Sequence, residues 1–176
     1  MTTKRLVTNA MLAAVYVVLS NYVALPLGPM KLTLDGLPIV LAALLFGPVD
    51  GLLVGLIGNL LSQLLGPYGV SATTFLWAIP DGVRGLLVGL YGRLRGPELK
   101  RTGLGVLFVV TALVVTGLTT AVMYVDCLVY RYSFLTYSPY ILWRVLAGIL
   151  VAAVFTAVVP PLLTLLRRAL GRARTA

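Results

Sequence analysis

An all-α integral membrane protein, a single bundle of six transmembrane helices occupying residues 1–176, is the fold class this sequence predicts. Three observations predict it. Of 176 residues, 60% are hydrophobic and 11% charged, with a mean hydropathy of +1.01, which leaves too little polar surface to cover a globule in water. Apolar segments recur to about residue 166, whereas a secretory leader would give way to a hydrophilic chain, so the first segment is expected to stay as an anchor. Basic residues fall in three clusters whose spacing fits an even number of crossings between them.

Taken in order, the candidate spans are Leu6–Leu25, Leu37–Phe46, Val49–Leu65, Phe75–Tyr91, Leu104–Val129 and Tyr140–Leu166. A span needs roughly 20 residues, so the second is short: as a helix it rises only about 15 Å, half of a hydrocarbon core. Charge parity argues for it all the same. Lys4 and Arg5, then Arg93, Arg95, Lys100 and Arg101, then Arg167, Arg168, Arg172 and Arg174 all reach one side only when the second segment crosses. Both termini are then cytoplasmic, and the short segment is expected to be tilted or extended by Lys31–Gly36. Topology and attraction to anionic headgroups account for the net charge of +9 without nucleic acid.

Gly47, Gly51 and Gly55 on the third segment, and Gly82, Gly85, Gly89 and Gly92 on the fourth, form small-residue ridges that let helix backbones approach. Packing within the bundle is the expected use, with binding to a partner helix as the alternative. Ala10, Ala13 and Ala14 make a similar patch near the cytoplasmic end of the first helix, where a partner has room to dock.

Chemistry concentrates on the opposite side. Three loops, Pro26–Gly36, Gly66–Thr73 and Tyr130–Pro139, carry prolines, glycines and tyrosines suited to ordered turns. Tyr130, Tyr132, Phe134, Tyr137 and Tyr140 fit either an interfacial belt or the mouth of a site for a planar ligand. The Pro67-Tyr68-Gly69 turn leads through Ser71–Thr74 into a segment that holds Trp77 and buries Arg84. A charge inside such a segment marks a candidate site. Arg84 either pairs with Asp81 or Asp126 or, with Arg144 one turn below the outer end of the last helix, holds an anionic ligand by paired hydrogen bonds; Arg144 has headgroups as its alternative.

Enzyme chemistry is disfavoured. The chain has no histidine, a single cysteine (Cys127), no G-x-x-x-x-G-K-[ST] loop, and five acidic residues that form no close cluster, so no metal, cofactor or catalytic residue is expected. ATP-driven work would have to come from a partner.

Six stretches, in order, carry a family resemblance: Ala10-x-x-x-Ala14, Leu37-Pro38-Ile39-Val40-Leu41-Ala42, Phe46-Gly47-Pro48-Val49-Asp50-Gly51, Pro67-Tyr68-Gly69, Thr73-Thr74-Phe75-Leu76-Trp77 and Arg84-Gly85. This order resembles the substrate-binding (S) component of an energy-coupling factor (ECF) vitamin transporter, most like the folate family. Asn59 departs from it, standing where many S components carry an acidic residue. The resemblance implies a six-helix subunit in a prokaryotic plasma membrane that captures a folate-like vitamin from outside. It further implies docking on a transmembrane coupling protein with two ABC-type ATPases. Tyr68, Thr73, Thr74, Trp77, Arg84, Tyr140 and Arg144 would then bind substrate, and Ala10 and Ala14 would dock the partner. An S component for another vitamin or modified base is the alternative, with a non-transport membrane enzyme or assembly factor behind it.

Overall fold

Each apolar segment forms a helix, and each helix begins and ends close to the expected boundary. The computed structural model describes residues 3–23, 25–27, 30–66, 69–95, 100–131, 133–134 and 139–172. Its helices are α1 (Thr3–Asn21), α2 (Gly36–Phe46), α3 (Pro48–Leu65), α4 (Thr74–Arg95), α5 (Arg101–Tyr130) and α6 (Pro139–Arg172). The fold is the helical one expected, with six helices and a short antiparallel ribbon in the loop after α1, β1 (Leu25–Leu27) and β2 (Met30–Leu32), in which Pro26 pairs with Lys31. One expectation needs correction: residues 31–35 do not extend α2, because Lys31 belongs to β2 and the helix starts only at Gly36.

The shortness of α2 has a structural explanation. Ile39, Val40, Leu41, Ala42 and Ala43 are each no more than 3% exposed, so this helix is buried on all sides, as its uniformly apolar sequence requires. Its neighbours are α1, α3, α4 and α6. Val40, Ala43 and Leu44 join Val88, Leu104, Phe108, Phe155 and Val159 in the main core, where Phe108 and Phe155 meet edge to face at 5.9 Å. Three described helices, α3, α5 and α6, have the length and hydropathy of full membrane spans. Outward-facing side chains such as Leu65, Phe75 and Leu142 are exposed and apolar, as a surface bathed in hydrocarbon would be.

Glycine packing joins α3 to α4. A Cβ built on Gly85 would lie 2.2 Å from the Gly51 carbonyl, and one on Gly55 would lie 2.5 Å from the Asp81 carbonyl oxygen. The ridges therefore serve this bundle. Gly47 is the exception, because it is not on the ridge at all: with φ of 109° it forms the joint between α2 and α3, followed by Pro48 at the first helical position. Beside that joint, Arg5 donates from Nε to Asp50 Oδ1 (2.7 Å), from Nη2 to Asp50 Oδ2, and from Nη2 to the Phe46 carbonyl (3.0 Å). Asn9 Nδ2 donates to the same carboxylate at 2.6 Å, so α1 is clasped to the α2–α3 corner.

Candidate functional site

At the other end of the bundle lies a cavity of about 260 Å³. It is lined by Tyr16 and Ser20 of α1, Thr33 and Asp35 of the segment leading into α2, Asn59 of α3, Trp77, Pro80, Asp81 and Arg84 of α4, Val115 and Thr119 of α5, and Arg144 of α6. An apolar helix bundle thus encloses a mostly polar chamber.

A connected network fixes one wall. Arg84 Nη1 lies 3.2 Å from Asp81 Oδ1 and 3.8 Å from Asp35 Oδ1. The other oxygen of Asp81 accepts the Tyr16 hydroxyl at 2.6 Å and Asn59 Nδ2 at 2.8 Å. Gln63 Nε2 donates to Asn59 Oδ1 (2.5 Å) and to the Thr74 carbonyl (3.3 Å), tying the wall to the start of α4. Burial, and then the nearby Asp81, raise the Asp35 carboxyl from its ordinary value, while the Arg84 guanidinium opposes the rise. Arg144 differs from Arg84. Its Nη1 is 3.8 Å from Met123 Sδ, a weak contact, and among the described residues it has no carboxylate in salt-bridge range.

Of the residues expected to bind substrate, the cavity brings together Trp77, Arg84 and Arg144. Arg84 makes the internal pair with Asp81 that the sequence left open, and it adds Asp35 rather than Asp126. Thr73 and Thr74 are buried beside the site and do not line it. Thr74 Oγ1 accepts the Ser71 N–H at 2.8 Å, and Thr73 Oγ1 donates to Asp126 Oδ1, so both hydroxyls order the α3–α4 loop. The Ala72 N–H donates to the Tyr130 hydroxyl at 3.1 Å and pins the same loop to α5. Tyr68 and the side chain of Tyr140 lie outside the described residues. On α1, Ala10 and Ala14 are exposed, whereas Ala13 is buried and leaves the patch. Sequence reasoning missed Tyr16, Ser20, Thr33, Asp35 and Asn59; the one available signal was the scarcity of acidic residues, which makes each of them conspicuous.

Residues 1–168 match the sequence profile of the family described as ECF-type riboflavin transporter, S component. A UPF0397 protein of Leuconostoc citreum is 44% identical over 88 residues, covering 49% of this chain and 45% of the relative. One from Exiguobacterium sp. is 37% identical over 91 residues, covering 51% and 48%. The chain thus spans about half the length of the curated relatives it matches. Among solved structures, the S component of a bacterial ECF transporter superposes over the whole of both chains with a TM-score of 0.62 and 25% identity. The S component for biotin from an ECF-type ABC transporter shares the fold, with a TM-score of 0.61 and 19% identity over 89% of this chain and 93% of that one. With nearly its whole length matched by one profile and its helices superposed on solved S components, this chain belongs to the family of ECF-type riboflavin transporter S components.

Proposed function

We propose that this chain is the substrate-capture subunit of an ATP-driven ECF-type uptake transporter, and that its cavity takes a planar nitrogen heterocycle, riboflavin foremost. The observation that carries this reading is the polar cavity formed by α1, α3, α4, α5, α6 and the approach to α2. Trp77 offers an aromatic face for a ring, while Ser20, Thr33 and Asn59 offer groups that hydrogen-bond a hydroxylated tail. Arg84 is already neutralised by two carboxylates of the chain itself, which favours an uncharged ligand over one with carboxylates of its own. At about 260 Å³ the cavity lies just below the usual span of ligand pockets, roughly 300–1,000 Å³.

In this reading the six helices span a prokaryotic plasma membrane with both termini in the cytoplasm, and the cavity opens outward. A transmembrane coupling protein and two ABC-type ATPases supply the energy, with Ala10 and Ala14 of α1 at the docking face. Folate or a related pterin is the second reading. It rests on Arg144, which is free of acidic partners among the described residues and suits a ligand carboxylate.

Titration of the detergent-solubilised protein with riboflavin and with folate, followed by tryptophan fluorescence, separates the two. Riboflavin is expected to bind more tightly, and Trp77→Ala to weaken it by about 1–2 kcal/mol, roughly five- to thirty-fold. Arg144→Ala is expected to spare riboflavin but to cost folate about 2–4 kcal/mol. Tight folate binding without riboflavin binding would reverse the order of the two readings, and binding of neither would remove both.

A further inference from the structure

We propose that Asp35 reads the ligand: its carboxylate accepts an N–H from the edge of the bound ring, so that the cavity selects heterocycles with a donor edge. This rests on the capture role and the ring ligand inferred above, and it deepens them by naming the specificity residue.

Hydrogen-bond capacity distinguishes the two carboxylates of the wall. Asp81 is the more engaged: its Oδ2 accepts from Tyr16 and Asn59, and its Oδ1 faces Arg84 at 3.2 Å. Asp35 Oδ1 approaches Arg84 only to 3.8 Å, too long for a hydrogen bond. A carboxylate offers about four acceptor positions, and this one belongs to a side chain that still has 17% of its surface exposed and lines the cavity.

On this wall two carboxylates share one guanidinium, so Arg84 alone does not satisfy both. Arg84 is engaged by both carboxylates and lies close to the Gly36 backbone, where an added Cβ would meet its Nη1. A ring N–H is a ligand group that the Asp35 carboxylate can accept.

The test compares a ring with its N-methyl isostere, using riboflavin against N3-methylriboflavin and pterin against N3-methylpterin. Wild-type full-length protein is expected to prefer the N–H form of its ring at least tenfold. Asp35→Leu should reduce that preference to less than threefold, while Asp35→Asn, which keeps an acceptor oxygen, should retain part of it. Melting temperatures check that each variant is folded, and Asp35→Asn carries the comparison if Asp35→Leu is not. Equal wild-type affinity for the two forms overturns the proposal, as does a preference unchanged by both variants. If pterin shows the Asp35-dependent preference and riboflavin does not bind, the flavin assignment falls and the role of Asp35 stands. Binding of neither parent ring overturns the role of Asp35 together with the assignment.

Discussion

Asp50 has no exposed surface, yet it carries a charge, and it is tolerable only because Arg5 and Asn9 direct three N–H groups at its oxygens. Removing Arg5 leaves that charge to Asn9 alone. Arg5→Met is therefore expected to destabilise the detergent-solubilised protein by about 1–3 kcal/mol, less than a fully buried pair because Arg5 is 35% exposed. Adding Asp50→Asn should recover part of the loss, and a thermal-unfolding double-mutant cycle measures it; strictly additive losses would show that Arg5 does not act through Asp50. At this scale the sequence was informative where a residue contradicts its surroundings. Arg84, Arg144 and Trp77 stand out in apolar segments, and all three line the cavity. Tyr16 carried no such mark, and Asn59 stood out only as a departure from the family pattern, until folding places both on Asp81. Thr73 and Thr74 looked like ligand groups because local sequence does not reveal that Asp126 and the Ser71 N–H lie within their reach.

Among elements, the helices were legible because each is an apolar run, most of them closed by glycine, proline or charge, and the glycine ridges of α3 and α4 pack as their spacing implied. Less legible were the ribbon, whose strands of three residues are too short to show alternation, and the central position of α2, which depends on contacts with four other helices. The face of α1 was only partly legible. Its pattern of small residues was evident, but the loss of Ala13 to the interior follows from how the helix turns toward α3. Ala10 and Ala14 remain outside, beside exposed Leu6, Val7 and Met11. Changing both alanines to Trp is expected to abolish ATP-driven uptake in cells that supply the coupling subunits, by preventing close helix approach, while ligand affinity in detergent stays within about threefold. Loss of both functions, or of neither, would remove the docking role.

For the whole molecule, the sidedness proposed from ten basic residues is open to direct measurement. In a Cys127→Ser background, a cysteine at Ser71 is expected to react with an impermeant thiol reagent on intact cells, and one at Arg101 is expected to react only after the membrane is opened. Labelling at Arg101 from outside would refute the six-span topology. One feature joins the two ends of the molecule. The same helix, α1, supplies Tyr16 and Ser20 to the cavity, is clasped through Arg5 and Asn9 at its other end, and turns Ala10 and Ala14 outward between them. If a protein seated on its outer face displaces this rod, the affinity of the cavity for its cargo is expected to change with it. Thermodynamic reciprocity then requires cargo to change the affinity for that protein by the same factor. Loaded and empty copies would thus compete unequally for a limited supply of energising partner, a discrimination that needs no separate sensor.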